Sequence, residues 1–221
     1  MGYKLKKKIW TDADFEQMGW HDCSIYKVRL TEDLEFDIDY ILKWNKPDME
    51  GLPFTFWVAP ATLVFKSIQN LSFDFDIGLG KAFEIEGIER GDGSRWRIIT
   101  RHGDIQFNSK GYEQYIRQEP FFEFEQAISF VERSGYSLDK TTNQENPNRD
   151  REEVVRQRQK DFEDYENVKN RHFKRQELEQ LLKASESKEI DTRRYLLKKK
   201  EITDQLSSYD YLLKGTKFES W

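Results

Sequence analysis

Four consecutive residues near the start of the chain have side chains that can do chemistry: Trp20, His21, Asp22 and Cys23. An imidazole beside a carboxylate can act as an acid–base pair or as part of a Zn, Mn or Fe site. A metal-dependent enzyme would need His21 and Asp22 to converge with Asp37 and Asp39, because protein metal sites usually take three or four ligands. The alternative, which we favour, places Trp20 in the core, with His21 hydrogen-bonded to the backbone and Asp22 capping a turn.

Acidic side chains alternate with apolar ones in three further segments, which contain Glu35, Asp37 and Asp39, then Asp74 and Asp76, then Glu84, Glu86 and Glu89. If these segments are strands, the carboxylates share a sheet face that would bind a cation or a basic protein. An ordinary solvated face, which protects a sheet against edge-to-edge aggregation, is the simpler alternative. The candidate partner-binding residues are therefore Trp20, His21, Asp22, Asp37, Asp39, Asp74 and Asp76. We assign no catalytic residue and no metal ligand, and we expect no cofactor.

A cluster of aromatic residues surrounds a loop that contains two prolines. Trp44 precedes this loop, and Phe54, Phe56 and Trp57 follow it. Such a cluster is either an exposed binding surface, where aromatic residues dominate the binding energy, or part of the core. We favour the core, because clustered aromatic residues are usually buried.

The elements that position these residues follow a period of two. Apolar and polar residues alternate over 24–30 and 34–40, and the short segment 31–33 joins them, which predicts an antiparallel hairpin. Further short strands separated by turn residues, such as Gly91-Asp92-Gly93, predict an antiparallel β-sandwich or partial barrel. From Phe122 to Val131 the period becomes helical, so we predict one helix that packs on the sheet.

The last third of the chain is highly charged and has helical spacing. Residues 136–149 are polar and contain Pro147, so we interpret them as a linker. Residues 150–221 then predict a coiled-coil-like helical hairpin with a break near Ser187, which would cap the second helix; one long helix is the alternative. The predicted class is α+β, with a β-rich domain over 1–135.

Charge and composition narrow the classes of function. Residues 1–135 carry 17 Lys/Arg and 23 Asp/Glu, a net charge of −6, which argues against nucleic-acid binding and favours a basic protein partner. Cys23 is the single cysteine, so no internal disulfide forms and a reducing compartment fits. The N-terminal segment is basic, but the apolar stretch that a secretory signal needs does not follow it. We therefore predict a cytoplasmic protein without a membrane span.

The first 130 residues resemble a group of small uncharacterised bacterial β-proteins, some of which are similar to immunity proteins of toxin systems. The resemblance lies in three stretches, which are Gly19-Trp20-His21-Asp22 with Ile25, then Asp37 to Ile41 with Trp44, then Ala59 to Phe65. It implies non-catalytic binding of a protein such as a toxin or another defence component, and it brings no catalytic residues. The helical tail has no counterpart in such single-domain proteins, and we expect it to form a homo-oligomer.

Overall fold

The computed structural model describes residues 3–75 and 83–221 and shows an α+β fold. The described residues contain ten strands, two α-helices and a 3₁₀ helix over Asp12–Gln17, which follows the first strand. The strands are β1 (Ile9–Thr11), β2 (Cys23–Leu30), β3 (Leu34–Asn45), β4 (Thr55–Phe65), β5 (Gln69–Phe75), β6 (Glu84–Arg90), β7 (Arg95–Thr100), β8 (Gly103–Asn108), β9 (Tyr112–Ile116) and β10 (Phe121–Glu123). The helices are α1 (Glu152–Glu186) and α2 (Thr192–Leu213). The predicted α+β class, antiparallel sheet and helical hairpin are confirmed.

The chain forms two compact units. The first contains Met1–Lys46 and Phe54–Asp150, and the second contains Pro47–Pro53 and Arg151–Trp221. In the first unit the strand order is β1-β9-β4-β3-β2-β6-β7-β8-β5, and β10 pairs with β4 outside this path. Neighbouring strands along the path are antiparallel.

The sheet folds back on itself to enclose the apolar core. The ring of Phe65 on β4 lies 5.2 Å from that of Trp96 on β7 and 4.8 Å from that of Phe107 on β8. In the described part of the chain, strands β2 and β6 pair over a short stretch at Cys23 and Ser24, so the sheet can change direction at this point. The result is the sandwich or partial barrel that the alternating pattern predicts.

The helix predicted from Phe122 to Val131 is wrong. Strand β10 occupies its first two residues, and a single turn follows, in which the Arg133 amide donates to the Ser129 carbonyl at 2.9 Å. The amide of Ile128 donates to the Asp39 carboxylate at 2.8 Å, so it is not available to a helical carbonyl. This tertiary hydrogen bond outweighs the helical spacing of the apolar residues.

Residues 136–149, which we interpreted as a linker, bond to the sheet. The Ser137 amide donates to Asp37 at 3.0 Å, and the Gln144 amide donates to the Arg117 carbonyl at 2.8 Å. Thr62 on β4 donates its hydroxyl to the carbonyl of Asp139 at 2.8 Å. The compact sheet unit accordingly extends to Asp150.

In the second unit, α1 and α2 pack as a hairpin. Arg171 of α1 donates to Asp210 of α2 at 3.0 Å. Asp191, rather than the predicted Ser187, caps α2 by accepting from the Arg194 amide. The loop over 47–53 packs on α1, where Gly51 has φ +89° and a Cβ there would lie 2.7 Å from the His172 ring. Across the described residues, neither helix has the length and apolarity that a bilayer span requires.

Candidate binding surface

Asp37 lies on the outer face of β3, but it is fully buried. Its carboxylate accepts from Arg117 Nη2 at 2.7 Å, from Arg133 Nη2 at 2.7 Å and from the Ser137 amide at 3.0 Å. The guanidinium of Arg117 also donates to the Thr62 hydroxyl at 2.9 Å. The solvated acidic face expected at this position is therefore covered by the chain itself.

Asp39 belongs to the same buried cluster. It accepts from the Tyr26 hydroxyl and from the Ile128 amide, both at 2.8 Å, and its second oxygen lies 3.4 Å from Arg133 Nε. Burial raises the pKa of Asp39 above its ordinary value, while the Arg133 charge opposes that shift. We call Asp37, Asp39, Arg117 and Arg133 the ion cluster; its two aspartates do not reach the surface and drop out of the candidate surface.

Trp20 is buried and connects the core to the surface. Its indole N–H donates to Gln114 Oε1 at 2.7 Å, and its ring lies 5.7 Å from that of Phe15 and 5.5 Å from that of Tyr112. The core position that we favoured for Trp20 is confirmed. One edge of the residue nevertheless lines a surface groove.

His21 and Asp22 form a pair at the surface. The His21 side chain is largely exposed, and its Nδ1 lies 3.0 Å from Asp22 Oδ2. Asp22 adopts φ +62° and accepts from Gln126 at 2.7 Å, with Arg101 at 3.6 Å. The polar pair therefore occupies a local turn, as the simpler alternative predicts. His21, however, contacts the Asp22 carboxylate rather than the backbone that we expected, and its imidazole is presented to solvent.

The aromatic residues around the Pro-containing loop divide between core and surface. Trp44 is 41% exposed and Phe54 is 44% exposed, whereas Phe56 is buried. The Trp44 ring lies 5.0 Å from that of Phe56, 5.9 Å from that of Phe54 and 6.2 Å from that of His21. We call His21, Trp44 and Phe54 the aromatic surface.

A groove of about 320 Å³ lies beside His21, between the 3₁₀ helix and β6. Three apolar side chains, Phe15, Met18 and Ile88, line it together with the carboxylates Glu16 and Glu86. No spacing rule relates residues 15–21 to residues 86–88, so the sequence does not bring the walls of this groove together. We call it the acidic groove.

The remaining predicted site residues lie elsewhere or outside the described part of the chain. Asp74 is exposed on β5, where it pairs with Asp104 of β8, at the opposite end of the strand order from β1. Asp76 lies outside the described residues. The structure therefore brings Trp20 and His21 together at the groove. Asp74 lies far from them in the sheet order and is not part of this site.

The four side chains proposed for a metal enzyme do not meet. The His21 side chain is exposed and the Asp22 carboxylate is largely buried beside it, while Asp37 and Asp39 are enclosed with two arginines. Within residues 3–75 and 83–221, no group of three or more His, Cys, Asp and Glu side chains is arranged to hold a metal ion. The carboxylates with arginine partners instead form a structural cluster.

No protein-family model, curated protein or solved structure matches this chain.

Proposed function

We propose that this chain is a non-catalytic protein-binding protein whose sheet unit contacts a basic partner through the aromatic surface. The observation that carries the proposal is the exposure of Trp44 and Phe54, which are held in ring contact with each other at 5.9 Å. Tryptophan is among the residues that most often dominate binding energy at interfaces.

The strands beneath the aromatic surface restrict its conformation. Trp44 is in β3 and pairs with Phe56 of β4, and Phe54 directly precedes β4. A side chain on a paired strand loses less conformational entropy on binding than one on a free loop. The aromatic surface is therefore preorganised for contact with a protein.

Charge supports a basic partner. Residues 1–135 carry a net charge of −6, which accelerates association with a positively charged protein at low salt. The resemblance to immunity proteins favours a partner of the toxin or defence class. A cytoplasmic location fits the single cysteine of the sequence.

We also propose that the helical hairpin forms homo-oligomers. Leu196 and Leu197 of α2 are 57% and 64% exposed, although both are apolar. Two-helix hairpins are marginal in water unless such side chains are buried against another surface. A second hairpin of the same kind would provide that surface.

The binding proposal is tested with the full chain as bait in an extract of its own host, followed by quantitative mass spectrometry. The Trp44→Ala/Phe54→Ala double variant should recover at least about 30-fold less of the specific partner, which corresponds to a loss of about 2 kcal/mol. Phe130→Ala is the matched control, because Phe130 is 59% exposed and lies outside the aromatic surface.

Two outcomes would refute the binding proposal. One is equal recovery of each captured protein by the wild type and the double variant, when both have the same melting temperature. The other is equal loss in the Phe130→Ala control. A genuine basic partner should also be released as the salt concentration rises, because screening shortens the reach of the acidic charges.

A further inference from the structure

The acidic groove is open, and part of its lining is apolar. Phe15, Met18 and Ile88 provide its apolar side chains. Two glycines, Gly19 and Gly87, also line it, and a Cβ atom built at either position would meet no atom within 4 Å. The groove therefore has room for an additional aliphatic chain without displacement of the fold.

The two carboxylates of the groove differ in their ion pairing from other carboxylates on the same elements. On the 3₁₀ helix, Asp12 pairs with Arg90 at 3.0 Å, and on β6, Glu84 pairs with Arg101 at 3.0 Å. Glu16 and Glu86 are exposed, and among the described residues neither has a basic side chain within ion-pair distance. Arginine partners thus neutralise the adjacent acids, and the ion pairs of the described residues do not include the two groove carboxylates.

We propose that the acidic groove binds a lysine or arginine side chain of the basic protein partner. The aliphatic stem of such a side chain packs on Phe15, Met18 and Ile88, and its cationic group lies near Glu16 and Glu86. His21 lines the groove and also belongs to the aromatic surface, so a single extended segment of the partner reaches both. This inference rests on the proposed function, because it names the chemistry that the partner must present.

The groove is tested separately from the partner with small probes. Nα-acetyl-lysine amide and Nα-acetyl-arginine amide are titrated into the ¹⁵N-labelled full chain, and Nα-acetyl-norleucine amide serves as the uncharged control with the same stem as lysine. We expect the cationic probes to shift the amide signals of Gly19 and Gly87 and the indole signal of Trp20. Norleucine amide should shift them at least about fivefold less at equal concentration, since it lacks the charge.

Variants separate the groove from its surroundings. Glu16→Gln/Glu86→Gln should weaken cationic probe binding about fivefold, and Gly87→Val should abolish it by filling the groove. Glu89→Gln removes the same charge from the same strand outside the groove and should leave binding unchanged.

The Trp44→Ala/Phe54→Ala variant distinguishes the two proposals, because it should lose the partner and keep the probes. Wild-type protein whose Gly19 and Gly87 signals do not respond to either cationic probe would overturn the groove proposal alone. Equal responses to lysine and norleucine amides, or unchanged binding in Glu16→Gln/Glu86→Gln, would also overturn it. In each of these cases the binding role of the aromatic surface would stand.

Discussion

Replacement of Asp37 by asparagine should strongly destabilise the sheet unit. Asp37 Oδ1 accepts from both Arg117 and Arg133 at 2.7 Å, and all three side chains are at most 1% exposed. Asparagine has almost the same shape as aspartate but no charge. The variant therefore keeps the packing and leaves two buried guanidinium groups with Asp39 as the single carboxylate of the cluster.

The expected magnitude follows from the loss of charge balance. Removal of one partner from a buried ion pair costs about 3–5 kcal/mol, because the remaining charge stays desolvated. Asparagine keeps one oxygen, and its NH2 group takes the place of the other. That NH2 group then faces either the Ser137 amide or the two guanidinium groups, all of which are donors, so we expect a loss of at least about 3 kcal/mol. For a chain of this size, that loss lowers the melting temperature by about 6–12 °C.

Urea unfolding followed by tryptophan fluorescence measures this loss. Glu35→Gln is the matched control, since Glu35 is also buried on β3, two residues earlier, but its partners Arg29 and Lys140 are 50% and 34% exposed. It should cost no more than about 1 kcal/mol. The reasoning fails if Asp37→Asn costs no more than the control. Asp37→Asn/Arg117→Met should recover part of the stability, because it restores charge balance.

Two further predictions concern the thiol and the hairpin. Burial raises the pKa of Cys23 to about 12. The native thiol should therefore react with DTNB at pH 8 only after the protein is unfolded in urea. Rapid reaction of the native protein would show that the strand is open. The full chain should sediment as a dimer or larger species at micromolar concentration, and Leu196→Glu/Leu197→Glu should sediment as a monomer. Lys198→Glu, which changes an exposed neighbour, should keep the wild-type state, and a monomeric wild type would contradict self-association.

The backbone of the sheet was largely predictable, because the alternation over 34–40 reports one strand directly. The environment of its polar side chains was not. Asp37 pairs with Arg117 and Arg133, which are 80 and 96 residues away in sequence. No local pattern encodes such distant partners, so the same alternation fits a solvated face and a covered one equally well.

The region after Phe122 shows how a tertiary contact can override a local period. Phe124 and Ile128 have helical spacing and both are buried, which is what the helix prediction required. An irregular segment buries both residues instead, because the Ile128 amide donates its hydrogen bond to Asp39. The helix could be rejected only by knowing that Asp39 accepts from the Ile128 amide.

The candidate surface was predictable in part. The clustering of Trp44 and Phe54 near a Pro-containing loop favoured the core, but the structure shows that both are partly exposed, with Trp44 beside His21. The acidic groove was missed, because its walls come from the 3₁₀ helix and β6. The one local signal is Gly87, a residue without a side chain within a strand, which often marks a close approach or an open site.

The acidic residues of this chain have opposite roles that depend on their arginine partners. The ion cluster contains two aspartates and two arginines, so it is neutral and contributes nothing to the net charge of −6 over residues 1–135. That excess must therefore be carried by side chains outside the cluster, such as Glu16 and Glu86. The cluster therefore pairs its own acids inside the fold, and the net negative charge lies on other side chains, as the binding proposal requires.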